Sequence, residues 1–297
     1  GRRSVLIFPV SDAVEKAIDA CHALKYHNYR EFGINRKSHE EIRQGYVDIA
    51  NFKPEQLPED FNINKIPLEP DYDILGFIAK HSRNLEPWQR DIINIVREES
   101  MYFMPQAMTK IMNEGWASFW HYKIMSELDL PQEFHLSFLK FHNQVLRPMV
   151  GKINPYHLGF TIFKWIEKNK GLEECFIARA SHNDESFIRT YLNKDICEDL
   201  NLFSYSKKKK EWTIDDISDE DGWKQIRADL IKNVGLNSLP NIYIRELQKD
   251  QTLVLEHEHD GRDLDLDYAH NVCDHLLDLW GDDFKFYTII EEEPFEI

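Results

Sequence analysis

Glu114, Ser118 and His121 bring a carboxylate, a hydroxyl and an imidazole together within eight residues, and Lys110 adds an amine one turn earlier. Such groups ligate metals, move protons or position a substrate. The stretch Thr109-Lys-Ile-Met-Asn-Glu-Gly-Trp-Ala-Ser-Phe-Trp-His121 reads as helix. At roughly 100° per residue, Lys110, Glu114, Ser118 and His121 fall on one stripe, and Met108, Met112, Trp116, Phe119 and Trp120 on the opposite one. A plain amphipathic helix with its polar face in water accounts for this pattern. Two features favour a polar pocket instead. Ile111 and Met125 also lie on the polar stripe, and Gly115 costs about 1 kcal/mol in mid-helix, which calls for a close-packing or functional reason. In the pocket reading Glu114 meets a histidine, an arginine, Lys110 or water, because a buried carboxylate needs a partner.

Glu99 is the second acidic candidate. It belongs to a helix expected over Leu85–Phe103, with Pro87 in its first turn. Trp88, Ile92, Ile95, Val96, Glu99 and Phe103 trace one side of that helix, so the carboxylate falls close to an apolar stripe. Pro105 is expected to end the helix.

Further elements frame this pair. Ser11–Leu24 reads as a helix with Val14, Ala17, Ile18, Cys21 and Leu24 inward, and His22 and His27 as surface or boundary residues. Phe52–Asp73, broken by Pro54, Pro58, Pro67 and Pro70, reads as a surface excursion. Gln132–Val145 is expected to turn Phe134, Phe138, Phe141 and Val145 inward, leaving His135 and His142 solvated or capping. Asn154 and Pro155 form a strong helix start, and Asn183–Leu192 is another capped helix. From about Asn201 strands appear: a hairpin around Lys207–Lys210, then Asn241–Leu247, Thr252–Glu258 and Phe284–Glu291, with helices at Trp223–Val234 and Asp267–Trp280. Counted from Trp212 the order is β-α-β-β-α-β, the split βαβ or ferredoxin-like order, with both helices expected on one face of an antiparallel sheet. His257 and His259 form an H-x-H pair running into the Asp260-Gly261 turn, read as turn flanks rather than ligands. The fold class is therefore α+β: a helical domain over 1–200 and a smaller α/β domain over 201–297.

Composition sets the bounds. The chain has 297 residues, 42% hydrophobic, and a net charge of -16. That size supports two packed regions, and the charge argues against general binding to nucleic acid or anionic membranes. No apolar run approaches a membrane span. Four scattered cysteines without a C-x-x-C read as structural thiols of a reduced, cytosolic protein.

Several stretches together resemble the SpoVR family, the stage V sporulation protein R-like proteins. They are Leu85-Glu-Pro-Trp-Gln-Arg-Asp91, Thr109–Ser118 with Trp120-His121, Asn154-Pro-Tyr156 with Leu158-Gly159, and Asp184-Glu-Ser-Phe187 with Tyr191-Leu192. Leu200–Tyr205, Asp263–Asp265 and Leu279–Gly281 also fit. The resemblance implies a cytoplasmic bacterial protein of stress or sporulation physiology, including spore cortex formation. It implies an AAA+-type serine kinase and a von Willebrand A-domain protein as partners, and brings no established reaction. A non-catalytic adaptor joining those partners is the alternative function. The family's upstream His-rich segment, H-V-x-G-H followed by D-F-F-K, has no counterpart here, so the chain reads either as starting just after it or as a divergent short form. Asn113-Glu114-Gly115-Trp-Ala117 is also similar to the N-E-G-F-A stretch of gluzincin metallopeptidases. There the glutamate is the third zinc ligand after two histidines, and the fourth position stays open for water. That similarity implies Glu114 as a zinc ligand in a complete protein, with His121 a further ligand or proton donor. The chain alone is expected to hold no zinc tightly.

Overall fold

A computed structural model describes residues 12–27, 41, 44, 71–149, 153–208, 211–217 and 221–297, with the side chains of 203–217 excepted. The cap at Ser11, most of the 52–73 excursion and the tip of the lysine run lie outside the described residues. The helices are α1 Asp12–Leu24, α2 Ile74–His81, α3 Pro87–Met108, α4 Lys110–Glu127, α5 Gln132–Val145 and α6 Pro155–Lys170. They continue with α7 Leu172–Ser181, α8 Asp184–Tyr191, α9 Lys194–Asp199, α10 Gly222–Lys232 and α11 Leu266–Trp280. The strands are β1 Phe203–Lys208, β2 Glu211–Ile217, β3 Ile242–Leu247, β4 Leu253–His257, β5 Phe284–Ile290 and β6 Glu293–Glu296. The fold is α+β, with a mainly helical first part and a C-terminal mixed sheet.

The chain divides into two compact units: residues up to Tyr102 together with Pro240–Ile297, and Phe103–Leu239. This grouping differs from a single cut at residue 200, because the first helices join the C-terminal strands. The first unit centres on the sheet β3-β4-β5-β6. Ile242, Ile244, Leu253, Leu255 and Phe286 from its strands share a core with Cys21 and Leu24 of α1, Ile74 and Ile78 of α2, and Leu276 and Trp280 of α11. The β3–β4 and β5–β6 pairs are antiparallel, whereas β4 and β5, joined through α11, are parallel. Asp71 bridges to Ile244, tying the segment before α2 to the β3 edge. Asp73 then caps α2 through Gly76 N–H (2.9 Å) and accepts two 3.0 Å bonds from Arg97 Nε. That guanidinium compensates a carboxylate that is otherwise buried.

The expected element order is present, but it does not form one antiparallel sheet. β2 pairs with β1 in a separate two-stranded sheet. A hairpin closes over a short turn, whereas joining β3 would require closure across α10, so the local partner wins. β6 was not foreseen. It returns along β5 through Glu291 and Glu292, both at positive φ (49° and 67°), the two-residue turn geometry that matches strand twist.

Three further expectations are corrected. Pro105 lies inside α3, which runs on to Met108. The buried side of α3 is Ile93, Val96, Ser100 and Met104, while Ile95 is 63% exposed and Glu99 is exposed. Ile92, Ile93, Ile95 and Val96 are compatible with either phase, and the stripe through Glu99 is the wrong one. On α5, Phe138 is buried but Phe134, Phe141 and Val145 are exposed, and His142 takes an inward place instead.

In the second unit the core joins Ile111, Met112 and Phe119 of α4, Leu158, Ile162, Phe163 and Ile166 of α6, Cys175 and Ala178 of α7, and Phe187, Ile188 and Tyr191 of α8. Asn154 caps α6 at Tyr156 N–H with Pro155 in the first turn, as the sequence predicts. Asn183 and Ser186 form a reciprocal capping box on α8.

Candidate functional site

The start of α4 is fixed from outside the helix. Thr109 makes no side-chain cap; its hydroxyl donates instead to Pro105 O at 2.7 Å. The free N–H groups of the first turn find Asp184. Its Oδ2 accepts from Ile111 N and its Oδ1 from Met112 N, each at 2.9 Å. Asp184 is 1% exposed and stands in the first turn of α8, so one carboxylate sits at two helix N-termini. Burial pushes it up to about 6, while the N–H groups of Ile111, Met112 and Lys110 pull it down.

One turn on, α4 crosses α6 at Gly115 and Gly159. A Cβ on Gly159 would lie 2.7 Å from Gly115 Cα, and one on Gly115 would strike the Gly159 backbone. Close packing is thus the reason for the mid-helix glycine. Phe119 is buried, and Trp116 packs at 5.3 Å from Phe163 and 5.2 Å from Phe176.

This crossing places the polar stripe. Glu114 is half-buried beside the Tyr156 hydroxyl; that carboxylate, with burial, raises the phenol above its ordinary range. No ion pair to Glu114 occurs among the described residues. Ser118 is buried, Ile111 is buried and Met125 is half-buried, but Lys110 and His121 are exposed. The His121 ring stands edge-on to Phe138 at 5.4 Å. Seven residues separate Glu114 from His121, about 10 Å along a helix axis. Glu114 therefore faces Tyr156 of α6, and His121 faces α5. The structure covers Glu114 and Ser118 and leaves His121 outside. Glu99, in the first unit, is exposed on α3.

Among the described residues, no three His, Cys, Asp or Glu side chains converge to hold a metal ion. Glu114 alone does not fit zinc, which takes at least three protein ligands. His257 is buried with Nδ1 2.9 Å from Thr288 Oγ1, and His259 Nε2 lies 3.0 Å from Asp263. Both imidazoles are engaged where the strand enters its turn. The four thiols are unpaired and buried, and burial lifts Cys21 to about 12 and Cys175, Cys197 and Cys273 to about 11. They have no thiolate character.

Three residues escaped the sequence reading. Tyr156 and Asp184 sat inside recognised motifs, but only as parts of helix starts. The spacing of His135 and His142 suggests solvated or capping roles, yet His142 is 5% exposed among aromatic rings.

The family description "SpoVR like protein" matches residues 10–239, and "SpoVR-like C-terminal domain" matches residues 240–290. The chain belongs to the SpoVR family. It is 32% identical over 334 aligned residues to "Uncharacterized protein YcgB" of Escherichia coli (strain K12). That alignment covers 96% of this chain and 65% of the relative, so the chain spans just under two thirds of the relative's length. No solved structure matches the chain. No helix among the described residues is long and apolar enough to cross a membrane.

Proposed function

We propose that Glu114 is this chain's contribution to a metallohydrolase-like site that is completed by ligands beyond the described residues. The proposed setting is a cytoplasmic bacterial protein of stress or sporulation physiology. The observation that carries the reading is the Glu114–Tyr156 pair. A half-buried carboxylate ordinarily takes a cation, and here its partner is a neutral phenol that leaves the negative charge available. Tyr156 orients the carboxylate, and Asp184 and the glycine crossing fix the helix that bears it. His121 lies too far along α4 to share an ion with Glu114.

The test is elemental analysis of the full-length protein, with Glu114→Gln and Tyr156→Phe variants. Stoichiometric zinc is expected in the wild type and its loss in Glu114→Gln, which keeps the shape and removes the charge. Tyr156→Phe should weaken metal affinity by about 10- to 100-fold, as loss of an orienting partner does. Absence of metal from the wild type, or full retention in Glu114→Gln, overturns the reading.

A second reading, a non-catalytic adaptor for an AAA+-type serine kinase and a von Willebrand A-domain protein, is favoured by the apolar stripe on α5. Phe134 (58%), Phe141 (66%) and Val145 (47%) lie exposed along one side of that helix. Partner binding by a metal-free full-length protein would support it.

A further inference from the structure

We propose that α5 is held to the second unit by a pH-sensitive latch at His142, which keeps the helix docked while the imidazole is neutral and releases it on protonation.

His142 lies between three rings from three helices: Tyr122 of α4 at 5.0 Å, Phe160 of α6 at 5.0 Å and Phe138 of its own helix at 5.7 Å. Its Nε2 is buried and has no hydrogen-bond partner. A neutral ring tolerates that position as an acceptor left empty. A protonated ring would place a charged N–H there with nothing to receive it.

The charges facing the ring add to the difficulty. His121 approaches from α4 and Lys164 from α6, and both act against a proton on His142. Lys164 Nζ lies over the Tyr122 ring at 5.5 Å and the Phe160 ring at 5.4 Å. On α5 itself, His135 touches the Phe138 ring at 6.2 Å and brings another titratable group, again basic. The Tyr122 phenol is the only acidic group among the rings that contact His142. Attraction between an imidazolium and the surrounding rings opposes release, but Lys164 already occupies two of those ring faces. Burial, then His121 and Lys164, hold His142 below its ordinary value of 6.5. The docked state therefore binds fewer protons than the released one, and docking weakens as pH falls below about 6.5.

The attachment of α5 is narrow enough for one residue to govern it. Phe138 and His142 are its only buried side chains, with Leu146 just beyond its end. His142 stands at the centre of this row, one turn from each neighbour. Carrying a charged imidazole to water pulls the whole row outward and uncovers Tyr122 and Phe160.

Hydrogen exchange on the intact chain tests this at pH 7.5 and 5.5, with rates corrected for intrinsic exchange. Protection of the amides around His142–Leu146 should fall several-fold, up to the roughly tenfold ceiling that a released-state value of 6.5 sets between these two pH values, while α6 changes little. His142→Gln, which cannot titrate, should lose this dependence. A fall of equal size in folded His142→Gln, or unchanged α5 protection in the wild type, overturns the latch. Should the variant fail to fold, NMR titration of wild-type His142 decides: a value at or above 6.5 refutes the proposal.

Discussion

Asp184 and His142 respond to acid in opposite senses, and the difference follows from what each group needs. Asp184 is lifted from 3.8 to about 6 by burial. The folded state therefore binds more protons than the unfolded chain between those values, and stability from this group rises as pH falls through 6 towards 4. A displacement of this size corresponds to about 3 kcal/mol. His142 loses stability over an overlapping range, so the wild-type profile should be shallow. Asp184→Asn removes the acid-side gain, and urea unfolding between pH 4.5 and 7.5 should then show stability declining with acid. The variant should also cost about 1–3 kcal/mol at neutral pH, since the amide NH2 replaces one of the two oxygens and sets a donor against the Ile111 or Met112 N–H. A profile identical in shape to wild type would show that Asp184 is not the titrating group. None of this was legible in the sequence. Asp184 is 73 and 72 residues from its two donors, and an N-terminal aspartate on a helix is explained by its own helix alone. Glu114, by contrast, was singled out from local spacing, although its phenolic partner was not.

Elements with strong local signals were placed closely by the sequence. Asn154-Pro155, Asn183 and the pattern of 267–280 mark helices that start within a residue or so of expectation. Phase and pairing were less accessible. α3 carries apolar residues on two sides, so its buried stripe is chosen by tertiary packing. α5 exposes two phenylalanines that periodicity turns inward, and only the docked surface decides between them and His142. Gly115 is the instructive case, because mid-helix glycine forecast a close approach without naming Gly159. Gly115→Ala gains about 1 kcal/mol of helix propensity yet drives a methyl into the α6 backbone, which cannot move as a flexible side-chain end would. The expected net loss is about 2 kcal/mol or more, at the upper end of overpacking costs. Chemical denaturation of the intact chain checks it; a neutral or stabilising alanine would mean that the helices separate easily. Gly159→Ala should behave alike, and the double variant should cost less than the sum because both methyls open the same crossing.

At the scale of the molecule, the two units are closed differently along the chain. The second is continuous from Phe103 to Leu239, and the boundary between the two family descriptions falls at its end, 239/240. The first is split, and its core depends on both pieces. Trp280, fully buried, donates from Nε1 to Gln251 O, and its carbonyl accepts from Ser82 Oγ at 3.0 Å. Ala20, Cys21 and Leu24 of α1 share their cluster with Cys273, Leu276 and Leu279 of α11. A reading that follows the chain in order assigns the early helices to the helical domain, because contact across more than 200 residues leaves no mark on local pattern. Removing Pro240–Ile297 should therefore harm the beginning of the chain more than its middle. Without the sheet and α11, helices α1 and α2 lose their apolar cover, and helices this short are marginal in water without it. Hydrogen exchange on the 1–239 fragment should show α1 and α2 unprotected, while α4, α6 and α8 keep the protection they have in the intact chain. Protected α1 amides in that fragment would mean that the first unit does not need its C-terminal strands. Loss of protection in α6 would mean that the second unit is not a folding unit by itself.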